Sequence, residues 1–136
     1  MALPESLLRL LKQTAYCHIS TLMPDGSPHI SLTWVDTDGQ HILINTVEGY
    51  QKLRNVQRDP RVALNIAYPS NPAFAIGLRG RVIEITTEGA VEQIQQFAQK
   101  YLGRAYPASG LQRQRVSLKI AVEHINKMPD RANAPR

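Results

Sequence analysis

The sequence predicts a mainly β domain with flanking helices, folded as a closed or nearly closed antiparallel barrel of six strands. Three observations lead there. Six segments are rich in β-formers, most of them alternating apolar and polar residues with a period of two. The turns joining the first three are too short to hold the crossover helices that a parallel sheet requires. The chain has 136 residues, 43% of them hydrophobic, enough to bury one core without disulfides or a structural metal.

A short amphipathic helix opens the chain: Pro4 suits a first helical turn, and Leu3, Leu7, Leu10 and Leu11 follow at helical spacing. A first strand spans Tyr16 to Leu22, and Pro24, Asp25 and Gly26 turn it into a second, His29 to Val35. There Ile30, Leu32 and Trp34 alternate with Ser31 and Thr33, giving one apolar face and one polar face able to meet a ligand. Asp38-Gly39 is a turn signal before a third strand, Ile42 to Thr46. Gly49 to Gln57 reads as a short basic helix carrying Leu53 and Val56, closed by Pro60.

Val62, Leu64, Ile66 and Tyr68 alternate as a fourth strand, and Pro69 to Pro72 turn the chain into a fifth, Phe74 to Ile85. Phe74, Ile76 and Leu78 have opposite parity to Ile83 and Ile85, which a one-residue bulge at Gly80 would reconcile. Thr87 is the expected N-cap of a helix whose Val91, Ile94, Ala98, Tyr101 and Leu102 share a face and which Gly103 stops. Val116, Leu118, Ile120 and Val122 make the last strand. The expected organisation is one domain over 1–128 and a flexible tail over 129–136.

Composition removes several functional classes. No run approaches the roughly 18 apolar residues of a membrane span. The leucines near the N-terminus are interrupted by Arg9, unlike a signal peptide, so a soluble cytoplasmic protein is expected. Cys17, the only cysteine, has no disulfide partner and reads as core. His18, His29, His41 and His124 never fall at metal-ligand spacings, and no Gly-x-Ser-x-Gly elbow exists, so neither a metal centre nor a nucleophilic hydrolase is expected. A net charge of +5 favours acidic partners: phosphate esters, a polyanionic cofactor tail or nucleic acid.

The most informative segment runs from Ile44 to Arg61. A hydroxyl at a strand end, Asn45-Thr46, and a lysine in the first turn of the next helix, Lys52, can converge on one phosphate, aided by free helix N–H groups. The same segment also reads as a strand-to-helix connection with a solvated basic face.

Asn45-Thr46, Lys52, Arg54-Asn55-Val56 and Arg58-Asp59-Pro60-Arg61-Val62, with Asp25-Gly26-Ser27-Pro28 and Thr33-Trp34-Val35 upstream, resemble the pyridoxamine 5'-phosphate oxidase-like, flavin-binding split-barrel family. The resemblance is strongest to its small branch using the deazaflavin coenzyme F420, and it covers about residues 5 to 126. It implies a six-stranded antiparallel split β-barrel, a homodimer with cofactor sites at the interface, and FMN or coenzyme F420 as cofactor. It further implies that Ser31, Leu32, Thr33 and Trp34 lie along the flavin ring and that Asn45, Thr46, Tyr50, Gln51 and Lys52 surround the phosphate. Many members carry an arginine immediately before the lysine, where this chain has Gln51. Vitamin B6 oxidation is not expected, because Pro129 to Arg136 shows no substrate-gripping segment.

The activity implied is hydride transfer between cofactor and a small organic substrate, with no protein nucleophile. Two alternatives stand beside it. One is a carrier or sensor that binds the cofactor without turnover. The other is a small basic barrel binding single-stranded nucleic acid, which 6% aromatic content does not favour. Trp34 reads equally well as ordinary core.

Overall fold

The computed structural model describes residues 1–126, so the expected tail over 129–136 lies outside the described residues. The elements are α1 (Glu5–Leu11), β1 (Tyr16–Leu22), β2 (Pro28–Thr33), β3 (Asp36–Thr37), β4 (Ile42–Val47), α2 (Gln51–Arg58), β5 (Arg61–Tyr68), β6 (Asn71–Thr86), α3 (Ala90–Leu102) and β7 (Arg115–Ile125). A 3-10 turn, Ala108–Leu111, lies between α3 and β7. The strands form one antiparallel sheet ordered β2-β1-β5-β6-β7-β4-β3, curled into a half-barrel that does not close.

The sheet has seven strands where the sequence predicted six. The expected second strand ends at Thr33 rather than Val35, and after Trp34 and Val35 the chain starts the two-residue β3. The reason lies in α3. The Val35 N–H donates to the Tyr101 hydroxyl (3.2 Å), and its carbonyl accepts from Lys100 Nζ. With both polar groups satisfied by side chains, Val35 needs no strand partner.

The core fills the concave side. Cys17 and Ile19 of β1, Ile42 and Ile44 of β4, Ile66 of β5, Ile76 of β6, and Leu118 and Ile120 of β7 are all fully buried. The opening helix packs Leu7, Leu10 and Leu11 onto this core. Burying each such leucine contributes about 1.5–3 kcal/mol, which holds a seven-residue helix too short to persist alone. In α3 the buried face is Ala90, Ile94, Phe97 and Ala98, while Val91 and Leu102 are exposed. Its N-cap is Gly89 rather than Thr87, and Gly103 stops it as expected, at φ 70°.

The parity change in β6 is resolved differently from the expectation. Alternation runs unbroken through Gly80 to Val82, and the extra residue on this strand is Ile83, because Val82 pairs with Ile120 and Glu84 with Lys119. Ile83 and Ile85 consequently stay on the outside. Next to Gly80 the extra residue belongs to β7, where Arg79 pairs with His124 and Gly80 with Val122. Gly80 is required there because a Cβ would stand 2.3 Å from the Ala121 carbonyl oxygen.

Gly80→Ala is expected to lower stability by about 1–3 kcal/mol, the usual cost of overpacking. Urea denaturation measures it, and an unchanged midpoint would contradict this close approach.

Candidate functional site

Two features of the sheet create the site. β3 pairs only with Ile42 and Leu43, so the later residues of β4 have no strand on that side. At the other end of the sheet, β2 pairs only with β1. The gap between these two edges is the split. A cavity of about 280 Å³ opens there, walled by Leu32, Thr33 and Trp34 from the β2 side and by Asn45 and Thr46 of β4. Tyr50 and Lys52 enter from the start of α2, Ile94 and Phe97 from α3, Tyr106 from the segment that follows α3, and Arg115 from the start of β7.

Seven of the nine residues singled out in the sequence thus line one cavity, and two do not. Ser31 lies one position upstream on β2, with its hydroxyl buried and unpartnered. The Gln51 amide is turned along its helix, donating to Asn55 Oδ1 (2.8 Å) and accepting from Arg54 (2.7 Å). Tyr50 is the N-cap of α2, and its ring is about half exposed.

The cavity is positive. Lys52 is 9% exposed and Arg115 6%, and no carboxylate lines the walls among the described residues. Burial holds the Lys52 ammonium below the ordinary lysine range, and the Arg115 charge adds to that. Thr46 is 2% exposed, and its hydroxyl has no partner. Native proteins satisfy nearly all buried polar groups. A buried hydroxyl left open beside two buried cations is therefore a ready anion site.

Asn45 has a different role from Thr46. Its amide donates to the Ala90 carbonyl (2.8 Å) and Gln93 Oε1 (2.9 Å), while its oxygen accepts from Arg115 Nε (2.9 Å). All its strong hydrogen-bonding groups are engaged, tying β4 to α3 and fixing the arginine.

Trp34 stacks on Tyr101 with centroids 5.1 Å apart and meets Tyr106 edge-on at 5.9 Å. It is both packed and a cavity wall. A second cavity of about 300 Å³ shares Leu32, Thr33 and Trp34 with the first and is otherwise neutral, lined by Thr14, Ala15, Tyr16 and Tyr101. The Tyr106 ring lies against Gly110, where a Cβ would come within 2.0 Å of it, and the Arg115 guanidinium lies 5.2 Å from its centroid.

Sequence reasoning missed Arg115, Tyr106, Ile94 and Phe97. The only available signal was Arg115 at the head of a strand whose Val116, Leu118, Ile120 and Val122 alternate as core positions. The more conspicuous arginines are engaged locally. Arg54 bonds the Gly49 carbonyl, Arg58 bonds that of Leu22, and Arg61 pairs with Asp59 at 2.8 Å. Among the described residues, no three His, Cys, Asp or Glu side chains gather as a metal site, and no helix is long and apolar enough to cross a membrane.

The chain is thus a split antiparallel half-barrel with a positively charged cavity at the split. The model of the pyridoxamine 5'-phosphate oxidase family matches residues 3–128, and the chain belongs to that family. Among solved structures, an F420 reductase is similar over 91% of this chain and 98% of its own, at 27% identity and a TM-score of 0.79. HupZ of Group A Streptococcus matches over 90% and 91%, at 21% identity and 0.66. General Stress Protein 26 of Bacillus anthracis matches over 92% of each chain, at 16% identity and 0.66. The last two likenesses establish the fold alone. Among curated proteins none matches significantly.

Cys17 of β1 lies fully buried in the core. Burial pushes its thiol up to about 12, against the pull of Lys52 and Lys100. Iodoacetamide at pH 8 is expected to leave it unmodified in the native protein and to alkylate it in urea, because the thiolate is the reacting form. Rapid alkylation of the folded chain, read by mass spectrometry, would contradict this placement.

Proposed function

We propose that this protein is a flavin-type oxidoreductase that holds FMN or coenzyme F420 by its phosphate and transfers a hydride between that cofactor and a small organic substrate. The observation carrying this reading is the cavity at the split: buried Lys52 and Arg115 without a carboxylate, and the unpartnered hydroxyl of Thr46 beside them. Family membership and the likeness to an F420 reductase point the same way.

The residues fit a phosphorylated flavin or deazaflavin. Lys52 supplies charge to the phosphate, and Thr46 supplies the hydroxyl that otherwise stays unsatisfied. The adjoining neutral cavity extends the room available past Leu32 and Trp34, which brings the two together into the roughly 300–1,000 Å³ range of small-molecule sites. When bound, the cofactor supplies the two-electron hydride chemistry. The chain's own work is to bind, to orient through Leu32, Thr33 and Trp34, and to keep water from one face.

The same reading includes a homodimer with the ring between subunits. Its support is the outer face of edge strand β2, where Ile30 is 67% exposed and Leu32 60%. Apolar side chains on an open edge favour a partner.

Titration of the purified protein with FMN and, separately, F420 tests the cofactor reading, followed by the emission of Trp34, the only tryptophan. One ligand is expected to bind and quench, and Lys52→Ala to weaken it about 10- to 100-fold, the worth of a charge-assisted hydrogen bond. Failure of both ligands to bind would overturn the proposal. Binding without turnover of quinone-like or unsaturated acceptors would make the protein a carrier. In sedimentation, the wild type should run as a dimer and Ile30→Glu as a monomer, whereas a monomeric wild type would remove the dimer.

A further inference from the structure

We infer that Arg115 is the second phosphate-binding cation of this site, supplied by the start of β7, since Gln51 beside Lys52 carries no charge. The inference rests on the cofactor reading above and adds a residue to it. Gln51 cannot take the part by another route, since its amide is committed to Asn55 and Arg54 and does not line the cavity.

The setting of Arg115 is built rather than incidental. The side chain is nearly fully buried, where an uncompensated charge is costly. Its protein partners are neutral. Nε donates to Asn45 Oδ1 at 2.9 Å, Nη1 lies 3.5 Å from the Gly110 carbonyl, and the guanidinium lies over the Tyr106 ring. These three contacts fix the plane of the fork while leaving Nη2 without a partner among the described residues. Lys52 and the open Thr46 hydroxyl line the same cavity. A fixed guanidinium with a free edge, an ammonium and a hydroxyl donor suit the oxygens of a phosphate ester, and a guanidinium can bind two of them at once.

Asn45 is then a positioning residue. It holds Arg115 from one side and the first turn of α3 from the other, and acts on the phosphate through the arginine.

The phosphate ester is either the terminal monoester of FMN or the internal diester of F420, so the test uses both, each with its phosphate-free counterpart: riboflavin and the ribityl deazaflavin. All four ligands are titrated into the wild type, Arg115→Gln, Arg115→Lys and Asn45→Ala, with melting temperatures confirming that each variant is folded.

The expected result is that the wild type prefers the phosphorylated member of one pair, which identifies the ester. Arg115→Gln should then reduce that preference at least about tenfold, with affinity for the phosphate-free member unchanged. Arg115→Lys should restore part of the preference, and Asn45→Ala should reduce it less than Arg115→Gln does. Equal loss for both members of the pair would overturn the inference and make Arg115 a shaper of the cavity, and an unchanged preference would overturn it too. A wild type that binds none of the four would instead remove the cofactor reading itself. Should Arg115→Gln not fold, Arg115→Lys and Asn45→Ala decide the matter by the same two-ligand comparison.

Discussion

The site depends on how one residue, Val35, satisfies its backbone. Tyr101 accepts its N–H, and Lys100 donates to its carbonyl. The same two side chains reach the carbonyls of Ala15 (2.8 Å) and Leu11 (2.8 Å), and Lys100 also pairs with Asp36 at 3.5 Å. One turn of α3 thus secures the chain where it leaves β2, where it leaves α1 and where it enters β3. A buried peptide group without a partner costs about 1–3 kcal/mol. With these contacts made, Val35 needs no strand partner, and β2 ends at Thr33.

The split then sets the chemistry available. An unpaired stretch of β4 facing an edge strand makes a gap that side chains must line, and the sequence supplies two cations, a hydroxyl and aromatic walls. The cations share their cavity with Ile94 and Phe97 of α3 and with Tyr106, which the absence of a side chain at Gly110 allows to pack closely. Burial strengthens their attraction for a phosphate, because charge interactions grow as the surrounding dielectric falls. The exposed arginines of α2 lack that advantage, for they face solvent and bond nearby carbonyls.

Much of this was legible in the residues. Helix α1, the hairpin at Asp25-Gly26, the strand β5 and the stop at Gly103 follow from local pattern, and the structure has them where pattern put them. Lys52 was legible because a strand end, a short turn and a helix start are close in sequence. The β6 bulge was misplaced because parity alone cannot separate a strand that changes face from one whose last apolar residues stay outside. Phe97 was missed on α3, and Val91 and Leu102 were credited instead, since that helix covers the sheet with a narrower stripe than its hydrophobic residues suggest.

The sequence by itself determined most of the elements, the core positions of the strands and the strand-turn-helix segment that carries Thr46 and Lys52, because each is encoded by residues a few positions apart whose spacing matches the period of a helix or strand. The tertiary structure decided the seventh strand, the split and Arg115. The Val35 contacts span 65 and 66 residues, and that between Arg115 and Asn45 spans 70. Interactions over such separations leave no periodic trace, and only the folded sheet, with β4 set beside β7, brings their partners within bonding distance.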